Sequence, residues 1–386
     1  MNEESPIRGR MRRGNREPSA PAGEERDVVA ALAIALAAAP SPRRRSALFR
    51  EDSLAGAVRA FHERHGAPNA ALAERARRWR ADAAKAGRRL VFLGGPGYPP
   101  RLAEIATPPI VLDVAGALDL AAPSVAIVGS RRATPYGISQ AERLGGGLAA
   151  AGLSVVSGLA RGVDAAAHRA ALAAPGATVA VLGSGHGRLY PPEHRGLADR
   201  IAAHGALVSE FPPDARPLRH HFPRRNRVIA GLTLGVVVVE AAARSGSLVT
   251  ARHAVESDRE VLAVPGPVGS PTSAGCHQLI RLGAVLVASV EHVLEELPRL
   301  MPAAVGDPGE GGPARSGPRV PAPEAPRDPD AARILETLAR FPSGTDVDTL
   351  VAHTGLAIPV ALAGVSALER QGRLRRFPGD FVRVAG

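Results

Sequence analysis

The chain has 386 residues, 45% of them hydrophobic, which is too long for one ordinary core and predicts two or three domains. Its single cysteine, Cys276, excludes an intrachain disulfide framework and fits a reducing, cytoplasmic location. The formal charge of +11 points to an anionic partner, nucleic acid before membrane. Lys85 is the only lysine, so arginine has replaced lysine throughout, but replacement does not create an excess of cations.

Residues 1–27 are charged and polar, lack an apolar signal core, and read as a disordered tail. The apolar run at 28–40 is too short to span a bilayer, so no membrane association is expected. Residues 28–88 are alanine-rich, broken at Pro40, Pro42 and Gly66, and predict a small helical domain. Leu90–Leu93 and Pro108–Leu112 then read as extended pieces.

A repeating rhythm begins at Ser124. Apolar runs at 125–128, 154–156, 178–182, 207–209, 234–239 and 261–264 alternate with helical runs at 137–151, 163–174, 193–204, 224–231 and 249–257. The short, valine-rich runs have the pattern of parallel strands covered on both faces. The expected fold is therefore α/β: a Rossmann-like parallel sheet with helices on both faces, over residues 89–300. Residues 301–328 read as a flexible linker. Residues 329–386 predict three helices and a hairpin that turns at Pro378-Gly379-Asp380, the winged-helix arrangement.

In open parallel sheets, ligands sit beyond the carboxyl ends of the strands. The loops there are small, glycine-rich and cationic. After Val128 comes Gly129-Ser130-Arg131-Arg132, with Thr134 placed to cap the next helix and Pro135 suited to its first turn. Ser157-Gly158-Leu159-Ala160-Arg161-Gly162-Val163-Asp164 follows the next strand, and Gly183-Ser184-Gly185-His186-Gly187-Arg188 the one after. Arg244-Ser245-Gly246-Ser247 precedes a helix expected to start near Leu248. Glycine lets the backbone approach an anion, helix amides face it, and arginine forks match phosphate oxygens. The most cationic core segment, His220-His221-Phe222-Pro223-Arg224-Arg225-Asn226-Arg227, sets an aromatic beside arginines, as a stacked base and its phosphate would need. A solvated basic helix start with Phe222 in the core is the plain alternative.

Catalytic signals are weak. There is no GxGxxG and no P-loop, so neither a dinucleotide nor an ATP site is expected. Asp164 and His168 at i, i+4 read as a local helix pair before a metal site. Cys276 and His277 diverge as helix neighbours. Glu240 is the best candidate carboxylate, and equally able to anchor the adjacent loop. No catalytic residue, metal or cofactor is assigned.

The motifs from Val125 to Arg131, Ser157 to His168 and Phe222 to Leu232 occur in order. Glu240, Ser245 to Ala251, Val264-Pro265-Gly266 and Leu279 to Ala284 continue the series. Together they resemble the DNA processing protein A family, DprA or Smf. Tyr98 to Leu102 and Pro108-Pro109 resemble the family's entry into the domain. The resemblance covers about residues 90–298 and implies a dimer that binds single-stranded DNA, protects incoming DNA during transformation and loads the RecA recombinase onto it. It implies that Arg131 lies in the DNA pocket and that Phe222 to Arg227 line the same face. The expected DNA or phosphate contacts are thus Gly129, Ser130, Arg131, Arg132, Gly158, Arg161, Gly162, Phe222, Arg224, Arg225, Asn226, Arg227, Ser245, Gly246 and Ser247. The resemblance does not reach residues 1–27 and only loosely reaches 28–88.

Two other readings compete. One is a nucleotide-processing enzyme of the lonely-guy phosphoribohydrolase type. Arginine and serine after Glu240, in place of a Pro-Gly-Gly pattern, count against it. The other is a regulator that binds duplex DNA through Arg370, Arg373, Arg375 and Arg376 of the winged helix, although such a run is commonly a solvated face.

Overall fold

The computed structural model describes residues 22–51, 53–300, 329–339, 345–370, 373–377 and 381–384. The chain divides into two units, residues 1–305 and 306–386.

The larger unit begins with four helices, α1 (Ala22–Leu36), α2 (Pro42–Glu51), α3 (Leu54–His65) and α4 (Ala70–Lys85). Strand β1 (Arg89–Phe92), helix α5 (Pro100–Glu104) and strand β2 (Val111–Ala115) lead into the alternating part. There β3 (Ser124–Val128), α6 (Pro135–Ala150), β4 (Ser154–Ser157), α7 (Val163–Ala173) and β5 (Thr178–Val181) are followed by α8 (Arg195–His204) and β6 (Ala206–Ser209). Next come α9 (His221–Leu232), β7 (Gly235–Val238), α10 (Ser247–Val255), β8 (Glu260–Ala263), α11 (Ala274–Arg281), β9 (Val285–Leu286) and α12 (Val290–Leu300).

The strands form one sheet in the order β1-β2-β6-β5-β4-β3-β7-β8-β9. From β6 to β9 every pairing is parallel, as expected of short strands buried on both faces. Alternation within a strand serves the two faces. Val125 and Ile127 of β3 pack with α6 and α7, while Ala126 and Val128 pack with α9 and α10. The purely parallel expectation needs one correction: β1 and β2 run antiparallel at the β6 edge. The short α5 and β9, and the helices α11 and α12, were not among the predicted elements.

The segment expected to be a disordered tail, residues 1–27, is helical from Ala22. Helix α1 already includes Ala22 to Asp27, with Glu24 and Glu25 in its first turn, where the helix dipole favours acid. The remainder of that tail and the expected linker at 301–328 lie outside the described residues. The helical segment does not keep its core to itself. Leu32, Ile34, Phe49 and Trp79 share one core with Val91, Leu112 and Ala126 of the sheet. A buried carboxylate fastens the join: Asp113 of β2 accepts from Trp79 Nε1 and from Arg88 Nε, each at 2.8 Å.

The smaller unit contains α13 (Pro329–Ala339), β10 (Thr345–Asp346), α14 (Val347–Thr354), α15 (Ile358–Arg370), β11 (Leu374–Phe377) and β12 (Phe381–Val384). A three-stranded sheet, β10-β12-β11, completes the expected winged helix. It has its own core, with Ile334, Leu338, Leu350, Val365 and Leu368 fully or almost fully buried.

Candidate nucleic-acid interface

Strand β3 is flanked by β4 on one side and by β7 on the other, and the chain reverses its direction of winding between them. Loops leaving such a switch point part and leave a crevice. Here the crevice is a cavity of about 730 Å³, lined by the loops after β3, β4 and β7 and by the start of α9.

The β3 loop is held from below. Thr134 caps α6, its Oγ1 accepting from Gly137 N–H at 3.2 Å. Its own N–H and hydroxyl donate to the Glu240 carboxylate at 2.9 and 2.6 Å. Thr272 Oγ1 donates to the same carboxylate at 3.2 Å. Glu240 is buried and occupied by these donors, so it anchors the loop, the second of the two roles its sequence position allowed. Gly129, Ser130, Arg131 and Arg132 then line the cavity.

The β4 loop turns sharply. Leu159 is a non-glycine residue at φ 57°, and Gly162 sits at φ 72°, where a Cβ would lie 2.2 Å from the Ser130 carbonyl oxygen. Asp164 closes the loop, accepting from the N–H groups of Gly158 and Ala160 at 3.1 and 3.3 Å. Burial raises the Asp164 carboxyl above the usual carboxylate range, against the opposing pull of Arg225 and of these amides. His168 donates elsewhere, through Nδ1 to Thr178 Oγ1 at 2.7 Å, because that hydroxyl's own proton goes to the Val155 carbonyl. Burial lowers its pKa to about 3. Asp164 and His168 thus serve separate partners. Among the described residues no cluster of three or more metal-ligating side chains occurs.

The α9 segment divides its side chains between two directions. Phe222 faces the cavity, with the Arg131 guanidinium 5.2 Å over its ring. Asn226 lines the cavity too, and its Nδ2 donates to the Gly246 carbonyl at 3.3 Å. Arg225 is 3% exposed and turns inward. Its Nη1 donates to the Gly158 carbonyl at 2.8 Å and to that of Val181, clamping the ends of β4 and β5 together. Burial lowers its pKa to about 10, so it stays charged at neutral pH. Arg224 and Arg227 point away from the cavity. Both donate to Glu210, from Arg224 Nη2 at 2.9 Å and from Arg227 Nη2 at 2.5 Å. An i, i+3 pair on one helix face shares that carboxylate, which is why the four-residue cationic run does not act as one patch.

The other expected contacts separate in the same way. Ser245, Gly246 and Ser247 line the cavity, with the two hydroxyls 2.6 Å apart. Helix α10 starts at Ser247, one residue before the expected start. Gly158 lies under Arg225, where a Cβ would approach Nη2 to 2.4 Å, a position that serves the clamp. Gly162 sets the turn. Arg161 pairs with Glu193 and stacks 5.9 Å from the Tyr190 ring at the rim. The sequence reading missed Tyr190, Pro217 and Arg219, which also line the cavity. Arg219 lies three residues before Phe222, so a wider window on that cationic run would have included it.

Three exposed arginines therefore edge the cavity: Arg131, Arg132 and Arg219. None has a carboxylate within ion-pair distance among the described residues. Free forks beside a partly exposed phenyl ring match a phosphate next to a base.

Residues 89–298 match the family model for DNA recombination-mediator protein A, and residues 318–380 match the DprA winged helix domain. The chain is 41% identical over 291 residues to Protein Smf of Escherichia coli (strain K12), covering 74% of this chain and 75% of the relative. It is 47% identical over 200 residues to the DNA processing protein DprA of Streptococcus pneumoniae, covering 52% and 71%. Among solved structures, DprA from Streptococcus pneumoniae matches with a TM-score of 0.57 at 36% identity, over 71% of this chain and 95% of the other. DNA processing protein A from Helicobacter pylori, solved to show its single-stranded DNA binding mode, matches with a TM-score of 0.50 at 28% identity, over 55% and 98%.

Proposed function

The chain belongs to the DNA recombination-mediator protein A family, and from that premise we propose that it binds single-stranded DNA in the cavity at the β3–β7 switch point. The observation that carries this reading is the pairing of an unpartnered arginine, Arg131, with the Phe222 ring at 5.2 Å in an open cavity of about 730 Å³. A phosphate draws Arg131 outward, and a base stacks where the guanidinium lay. The backbone supplies most of the affinity, because only 3% of the residues are aromatic and few bases can stack.

The protein acts as a cytoplasmic binder and not as an enzyme. Glu240, the best candidate carboxylate at this edge, accepts instead from Thr134 and Thr272. Among the described residues no helix is long and apolar enough to cross a membrane. Two cavities of a homodimer align on one strand, protect incoming DNA during transformation and present it for RecA loading. No cofactor enters this reading.

The test replaces Arg131 and Arg219 with alanine, singly and together. Both side chains are exposed, so folding is expected to survive. Binding of single-stranded oligonucleotides should weaken for every base sequence alike, as loss of a phosphate contact requires. Unchanged affinity in the double variant rejects the site. Release of free base from a nucleoside monophosphate by the purified protein rejects the non-enzymatic reading.

A further inference from the structure

The segment that carries Arg219 has two sides. Pro217 and Arg219 line the main cavity. Pro212, Pro213 and Asp214, earlier in the same segment, wall a second cavity of about 250 Å³ against α4. The segment is a fixed bridge. Gly185 N–H donates to the Ala215 carbonyl at 3.0 Å and Gly187 N–H to that of Pro213 at 2.9 Å. A Cβ at Gly185 would lie 2.0 Å from the Pro212 carbonyl oxygen, so the backbones are in close contact.

Helix α4 lines the second cavity with Arg75 and Arg78, which share a face at i, i+3. Both are exposed, and neither has a carboxylate within ion-pair distance among the described residues. Their neighbours differ. Arg77 pairs with Glu74, Arg80 with Glu25, and Arg88 with Asp82. Arg216, midway along the bridge, is exposed as well. Two carboxylates also line the cavity, Asp82, which Arg88 neutralises, and Asp214. Together with Arg75 and Arg78 they make a poor trap for one free phosphate. A polyanion that already fills the main cavity needs only added cations along its path.

We propose that Arg75 and Arg78 of α4 form a second contact for the phosphate backbone of the same single strand, which crosses the Pro212–Arg219 bridge between the two cavities. This rests on the reading of the main cavity given above. It gives the N-terminal helices a part in DNA binding, and their shared core with the sheet fixes them for it.

The bridge spans at most about 25 Å. Two stacked nucleotides span only about 7 Å, so a dinucleotide seated in the main cavity does not cross the bridge, while a strand of about 25 nucleotides covers all of it. The experiment compares the full chain with its Arg75→Gln, Arg78→Gln double variant on oligothymidylates of about 2 and about 25 nucleotides. The double variant should bind the short strand as the parent does. It should bind the long one about tenfold more weakly, with a salt slope shallower by about 1.4, the value for two lost contacts to a single strand. Arg75→Lys with Arg78→Lys should restore long-strand binding, since a point charge suffices for a phosphate. Equal affinity and equal slope on the long strand overturn the proposal, as does an equal loss on both lengths. If Arg131→Ala changes neither oligonucleotide, the main cavity itself has failed, and the shared path falls with it.

Discussion

Arg225 donates to the carbonyl of Gly158 at 2.8 Å, so the most buried arginine of α9 braces a loop and leaves phosphate contact to its neighbours. A glycine is required at 158 because a Cβ there would come within 2.4 Å of the same guanidinium. Two substitutions follow from one contact. Arg225→Ala leaves the buried Gly158 and Val181 carbonyls without their charged donor and should destabilise the larger unit by about 2–5 kcal/mol. Gly158→Ala should cost about 1–3 kcal/mol by displacing the guanidinium. The two losses should not add in the double variant, since the clash disappears with the side chain it strikes. Denaturant titration of the four proteins checks this, and simple additivity would detach Gly158 from Arg225.

Phe222 has a different place in the same helix. Its ring packs against Gly183, where a Cβ would lie 2.8 Å from Cδ1, and receives Arg131 on its face. Phe222→Leu keeps an apolar filler and should leave thermal stability within about 1.5 kcal/mol of the parent. Single-strand affinity should fall by about 1–3 kcal/mol, the worth of one stacked base. Fluorescence anisotropy with a labelled oligonucleotide reads the loss. Unchanged affinity would return Phe222 to a purely packing role.

Much of this architecture was legible in the sequence. Valine-rich runs fixed β3 to β8 because parallel strands buried on both faces allow little else. Thr134 and Pro135 announced the start of α6 through capping chemistry that depends only on neighbours. The antiparallel edge was hidden, because β1 and β2 are short apolar runs whose direction is set by what they pack against. Side-chain direction within Phe222 to Arg227 was hidden for a similar reason. Residues Arg224, Arg225 and Arg227 look alike in sequence, and only the placement of Glu210 and of the Gly158 carbonyl separates them. Arg219 was missed because it precedes the helix and belongs to no periodic pattern.

Acid should weaken the larger unit through His168. Its folded pKa is about 3, against an ordinary 6.5. Between those values the unfolded chain binds a proton that the folded chain refuses, so stability falls as pH drops from 6.5 toward 3 and is fully present above 6.5. The slope from this group is about 1.4 kcal/mol per pH unit. His186, also lowered by burial, acts in the same direction. The raised carboxyl of Asp164 opposes both just above its ordinary 3.8. Unfolding midpoints from pH 7 to pH 4 should decline in the parent and decline less steeply in His168→Leu. Parallel curves would show that His168 takes up its proton in both states.

Removing residues 329–386 should leave single-strand binding by the cavity largely in place, because the winged helix folds on its own core and the cavity lining lies wholly between Val128 and Thr250. Affinity of the truncated chain for a single-stranded oligonucleotide should stay within about threefold of the parent at fixed salt. Complete loss of binding would move the DNA site to the winged helix.

The most direct measurement is a titration of the full chain with a single-stranded oligonucleotide and with its matched duplex, repeated across salt concentrations. The expected result is tighter binding to the single strand, with a log–log salt slope near −0.7 for each phosphate contacted. Equal or tighter binding to the duplex would contradict the assignment of the β3–β7 cavity to single-stranded DNA.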